Sequence, residues 1–419
     1  MKNYIIISVC FFSIFSYSQE SVFNTLNNKG VGVFDVNAQL FFINQKTFHS
    51  PDNILELSNT INNATSMAFT LNYKSPKIKH FSVTLSYIQA MVLQEYSSLS
   101  VNAADVLQNG SFGILNNVSI NYHLETIGFK EGIISVGRFA LDTGFMTRNR
   151  LRQKNQAYEG VLIDIPDVGN WRITLGYLSK FSSWKSNPNE FKPISSAYIS
   201  DIDKGQEFVE VSHSNKEANV SFGAYYISAN NLWNIVGIYY LQKIITFGKD
   251  INLNIRGKSI FQWDNGTTTK GETIEGIQPG VLLNYRGLSL ETGAFLVPQK
   301  TAKENTFLQN PFGAKLIVSE PLLGTNSSYN EGSESYYLES SYRFSKGNIY
   351  LLYLYTRDKL YIDDHLQNTP AIYNELDLIV SYNINKRWNT KIKAALLDKN
   401  ISNKNNQIFD VRLVMSYNF

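Results

Sequence analysis

Between residues 141 and 155 four cations recur at every second position: Arg148, Arg150, Arg152 and Lys154, with Asp142 the only acid. In an extended chain a spacing of two puts all four on one edge. Such a row attracts anions and replaces part of their hydration shell with fixed donors. Residue types that do covalent or metal chemistry fall in no comparable pattern. The five histidines, His49, His80, His123, His213 and His365, have no zinc spacing. Asp201-Ile202-Asp203-Lys204-Gly205 offers two carboxylates, but a calcium loop would want a third ligand where Gly205 stands. Ser212-His213-Ser214-Asn215 carries a histidine beside two serines, yet Val209, Val211 and His213 share a strand face, and an interfacial histidine explains the segment more simply. No Gly-rich phosphate loop precedes a helix, and a net charge of +3 is too small to suggest a nucleic-acid partner. The sequence therefore reads as no enzyme, with no cofactor and no metal.

The elements that must position the cations are strands. At the carboxy end Phe409, Val411, Leu413, Met415, Tyr417 and Phe419 alternate with Asp410, Arg412, Val414, Ser416 and Asn418. A period of two with one apolar and one wet face is a β-strand. Similar runs predict strands near 33–43, 66–74, 80–91, 113–124, 132–140, 156–165, 171–178, 206–214 and 218–227. The second half adds 231–243, 251–263, 275–285, 288–297, 335–344, 348–356, 374–384, 388–397 and 408–419. Eighteen is even, as a closed single-chain barrel with both termini on one side requires. Gaps after even-numbered strands are short, such as Pro166–Asn170, Ser345–Gly347 and Asn385–Arg387. Those after odd-numbered strands are mostly long: 44–65, 92–112, 141–155, 179–205 and 298–334. Short turns on one side and long loops on the other are the outer-membrane pattern, and closure removes exposed edges.

The remaining composition fits. Lys2, the apolar run Tyr4–Phe15 and the small-residue site at Ser16–Ser18 read as a signal peptide over 1–18, leaving 19–419 as a single barrel domain. The one cysteine, Cys10, falls inside the signal. A mean hydropathy of −0.19 suits a barrel that spends only alternate residues on lipid. Trp171 and Trp388 follow predicted turns, where indoles would sit at the headgroup level. Outer-membrane lipid and lipopolysaccharide are thus expected partners, as is the barrel-assembly machinery through the last strand ending at Phe419.

If the apolar face meets lipid, strand parity turns Arg172, Arg256, Lys258, Arg343, Lys391, Lys393 and Arg412 toward the lumen. Glu291, Glu339, Glu375, Asp377 and Asp410 face the same way. The segment 141–155 is the third long loop, which in many porins folds inward. There its cations would form a constriction; the alternative is an exposed loop facing lipopolysaccharide phosphates.

Val136-Gly137-Arg138, Leu141-Asp142-Thr143, Tyr158-Glu159-Gly160 and Leu175-Gly176-Tyr177 together resemble the OprD-type outer-membrane porins. Ser335–Phe344, ending Tyr-x-Phe, is similar to a late strand of that family. Gly144 and Asn155 stand where the family has proline, so the loop backbone departs from the pattern. The resemblance implies an eighteen-stranded antiparallel channel with a narrow opening and a basic ladder that guides carboxylate-bearing solutes. It carries Arg138 and Arg152 over as members of that ladder. The expected function is passive, semi-selective diffusion of small anionic or zwitterionic solutes, carboxylates or amino acids. The alternative is a non-conducting barrel that binds surfaces through loops 179–205 and 298–334.

Overall fold

The computed structural model describes residues 30–49, 60–97, 111–143, 154–182, 190–193, 205–215, 220–229, 233–248, 250–264, 273–298, 322–323, 330–359, 361–362, 365–366, 370–401 and 404–419. The signal segment 1–18, Arg148, Arg150, Arg152 and the 201–203 carboxylates lie outside them.

Eighteen antiparallel strands form the wall. They are β1 Val33–His49, β2 Thr60–Lys74, β3 Phe81–Ser97, β4 Phe112–His123, β5 Ile133–Phe139, β6 Ala157–Val168, β7 Trp171–Ser182, β8 Gln206–Asn215 and β9 Val220–Ala229. The second half comprises β10 Trp233–Phe247, β11 Ile251–Asp264, β12 Thr273–Tyr285, β13 Leu288–Leu296, β14 Glu334–Phe344, β15 Gly347–Asp358, β16 Ala371–Asn383, β17 Trp388–Ile401 and β18 Lys404–Asn418. Each pairs with the next, and β1 pairs with β18 from Asn37↔Asn418 to His49↔Asn406, closing the barrel. Closure matters because an unpaired N–H or C=O in hydrocarbon costs several kcal/mol, roughly, and a closed ladder leaves none. No helix among the described residues is long and apolar enough to cross a membrane.

The burial pattern is inside out. Ile120, Val136, Ile238, Leu338, Leu351, Leu376 and Ile392 are exposed on the outer face. Ser119, Asn121, Gln278, Glu375, Asp377 and Asp410 are buried on the inner one. The outer face therefore expects lipid. At one rim Trp171 packs against His213 and Phe222, with ring centroids 4.8 and 5.5 Å away. Trp388 lies 4.9 Å from Tyr417, which is 4.8 Å from Phe419. His213 thus stands in an outward aromatic belt.

Two details differ from the periodicity. The hairpin β1–β2 extends past residue 43 through Thr47↔Thr60, because beyond the lipid-facing zone the outer face need not be apolar; Asn44 and Lys46 occupy it. The turn expected over Pro166–Asn170 narrows to Gly169 and Asn170, with φ 59° and 73°. That left-handed pair matches the twist of a two-residue hairpin. Pro166 is tolerated within β6 because the register shifts between Ile165 and Val168, where no ladder bond is needed.

Candidate functional site: the barrel lumen

Inward side chains of β17, β18 and β1–β4 enclose a cavity of ≈ 510 Å³. From β1 come Asp35, Asn37, Gln39 and Phe41, and from β2 and β3 Thr70, Asn72, Ser86 and Ile88. Asn389, Lys391 and Lys393 of β17 and, on the neighbouring β18, Ser416 and Asn418 line the same space. β4 contributes two adjacent residues, Asn116 and Asn117. Strict alternation forbids this; a bulge permits it, since the β3–β4 register jumps from Ser86↔Asn117 to Tyr87↔Leu115. Ala140 and Asn155, at the two ends of the β5–β6 connection, also line the cavity.

The bases expected in the lumen differ in how they are held. Arg172 makes a two-pronged bond to Asp164, both N···O distances 3.0 Å. Arg256 pairs with Glu291, whose other oxygen accepts the Tyr337 hydroxyl at 2.8 Å. Arg412 grips Asp410 at 2.7 and 3.1 Å, and Asp410 also accepts Gln45. Arg138 binds Glu159 at 3.0 Å, and the same carboxylate takes Lys180 at 3.2 Å. The Arg138 guanidinium lies 4.2 Å over Phe191, which packs against the inward residues Ala68, Ile88 and Ile114. Gly137, with φ 124°, interrupts the alternation just before it. These four arginines are locked to carboxylates. Lys258 is buried on the inner face of β11, and Arg343 is exposed near one end of β14. Lys391 and Lys393 make no ion pair among the described residues.

Two long connections are fastened inside the barrel at described points. Lys154 is fully buried and donates to the Ser182 carbonyl at 3.1 Å. Burial pushes its ammonium down to about 7, so it anchors the end of the β5–β6 connection rather than standing in open water. Between β13 and β14 the Leu322 and Leu323 amides donate to Asp377 at 2.9 Å and Glu375 at 2.6 Å. Both carboxylates point inward from β16, so residues 322–323 lie within the lumen.

The opposite wall differs. Inward Leu162, Leu178, Phe208, Ile227, Ile235, Ile260, Ile274 and Phe295, from β6 to β13, form one buried apolar cluster. The amides Asn37, Gln39, Asn116 and Asn117 were not singled out by sequence. Strand parity could have found Asn37 and Gln39, but nothing local announces the bulge that admits both Asn116 and Asn117.

No protein-family model matches the sequence, and no curated protein aligns with it. Solved structures do match over nearly the whole chain. Pseudomonas aeruginosa OccK9 (OpdG) superposes with a TM-score of 0.73 at 14% identity, covering 92% of this chain and 98% of that one. The fold is that of the OprD/Occ porins. Pseudomonas aeruginosa OpdK, solved with vanillate, gives a TM-score of 0.71 at 13% identity, with coverage of 92% and 98%. Acinetobacter baumannii OccAB4 gives 0.67 at 15%, also with 92% and 98%. The barrel is closed and apolar outside, as a strand wall facing outer-membrane lipid must be.

Proposed function

We propose that the protein, after loss of residues 1–18, is a passive outer-membrane porin for small anionic or zwitterionic solutes such as carboxylates and amino acids. The observation that carries this is the polar cavity in a closed barrel, where Lys391 and Lys393 are cations without ion-pair partners among the described residues. Confined charge of one sign raises the local concentration of the opposite ion far more than at an open surface. The row Arg148, Arg150, Arg152 and Lys154, on the connection whose ends Ala140 and Asn155 line the cavity, adds to that field. Lys154 contributes chiefly by anchoring. OpdK was solved with vanillate, a carboxylate, which supports the same solute class here. Lipid and lipopolysaccharide surround the barrel, and β18 with Phe419 engages the assembly machinery.

The tether at Leu322 and Leu323 favours a second reading, a plugged barrel that binds surfaces through its loops. Conductance separates the two. Refolded protein in a planar bilayer under a salt gradient should show stable channels with a reversal potential on the anion side. Cation preference would keep the channel and overturn the role of the lysines. A folded, heat-modifiable barrel without conductance would favour the plugged reading.

A further inference from the structure

We infer that the cavity between β17, β18 and β1–β4 is a recognition site for a polyhydroxylated monocarboxylate, the sugar-acid class, with the carboxylate at Lys391 and Lys393 and the hydroxyls at Asn116 and its neighbouring amides. The inference rests on the channel reading and narrows its solute.

The lining has an unusual chemistry. Eight of its eighteen residues are Asn or Gln. An amide presents both an acceptor oxygen and two donor hydrogens, so a wall of amides can meet a hydroxyl as donor, as acceptor, or as both. A wall built for simple anions would need only donors. Phe41 is the one aromatic residue in the lining, against eight amides. Aromatic carboxylates would therefore find charge but little surface. The cavity volume falls within the range of about 300–1,000 Å³ typical of small-molecule sites.

Asn116 points to a missing partner. It is 2% exposed, and its Oδ1 is buried with no hydrogen-bond partner. Its Nδ2 makes one long bond, 3.4 Å, to Asn117 Oδ1. The chain gives up regular pairing at the Ser86/Tyr87 register shift to place these two amides side by side on the lumen face. Bulges commonly re-aim side chains next to functional sites. A ligand hydroxyl donating to Asn116 Oδ1 would satisfy the orphaned acceptor.

Charge placement sets the orientation. Asp35, the only acid of the lining, accepts from Asn72 Nδ2 at 3.1 Å on β1. Lys391 and Lys393 stand two positions apart on β17 and line the same cavity, where their point-like ammonium groups can meet a carboxylate. The amides that bond each other, as Asn37 does to Asn418 at 2.6 Å, use only part of their capacity.

The test is solute-dependent current block by the full mature chain in a planar bilayer, with gluconate, benzoate and sorbitol as probes. Gluconate should half-block at a concentration about tenfold below benzoate and below sorbitol, equivalent to one or two net hydrogen bonds. Asn116→Val should bring the gluconate-to-benzoate ratio to about one. Gln39→Leu, on a strand without a bulge, serves if that variant fails to fold, and should narrow the ratio in the same direction. An anion-selective channel with equal constants for all three probes would overturn the sugar-acid site and leave the channel reading standing. An unchanged ratio in both variants would do the same. Absence of any conductance would overturn the channel reading itself, and this inference with it.

Discussion

The lumen has two walls of opposite character. Along β6–β13 the inward face is apolar toward one end and saturated toward the other: Arg172 is held by Asp164, Arg256 by Glu291, and Tyr239 donates to Glu210 at 3.1 Å. Along β17, β18 and β1–β4 the inward face is amide-rich, and Lys391 and Lys393 carry charge with no carboxylate at ion-pair distance among the described residues. Both walls contain bases, so counting cations would rank them as equals. What differs is that Lys391 and Lys393 have no ion pair among the described residues, although Arg412 beside them on β18 is held by Asp410. A paired arginine presents a local dipole whose field falls off quickly, whereas an unpaired lysine in a narrow passage acts on any solute that enters.

The contrast can be broken most directly by reversing the free charges. Lys391→Glu with Lys393→Glu should move the reversal potential under a tenfold salt gradient to the cation side. Retained anion preference would remove the amide wall from selectivity. Next in size, Arg148→Gln, Arg150→Gln and Arg152→Gln combined should lower anion preference without unfolding the barrel, judged by heat-modifiable migration; unchanged selectivity would take that row out of the pore. On the saturated wall, Glu291→Gln leaves Arg256 without its ion pair, and should shift reversal modestly toward anions. A shift as large as that of the lysine reversal would mean that pairing does not quench the field.

A lipid-facing control sharpens the inside–outside assignment. Leu376→Arg, on the outer face of β16, should destabilise the barrel by about 2–4 kcal/mol near the bilayer midplane. The smallest expected effect concerns Lys154. Its folded pKa, about 7, lies below the unfolded lysine value of about 10.4, so the unfolded chain binds the extra proton between those limits. Stability of the wild type relative to Lys154→Met should therefore rise with pH between about 7 and about 10, and stay flat below 7. Melting curves in detergent across that range would reveal it, and a difference independent of pH would place the ammonium in a solvated site.

Much of this was legible in the residues. Eighteen runs of period two correspond to eighteen wall strands, because in a barrel every strand meets the same two solvents and repeats the same code. Strand ends were less legible, as β1 and β2 show, since the code lapses where the hairpin leaves lipid. On β18 Ser416 and Asn418 line the cavity, and Asp410 and Arg412 are buried. What parity could not say was which lumen charges meet a partner, because Arg256 and Glu291 are far apart in sequence and join only across β11–β13.

The sequence by itself determined the barrel, its strand number and the sidedness of its loops, since these follow from local alternation and turn length. Only the tertiary structure decided the state of the lumen. Four arginines became ion pairs, two carboxylates of β16 took the Leu322 and Leu323 amides, and a bulge in β4 set Asn116 beside Asn117 in the cavity that two lysines also line. The reason is physical: alternation is written along one strand, whereas pairing, tethering and bulging depend on register between strands and on what the closed wall brings face to face.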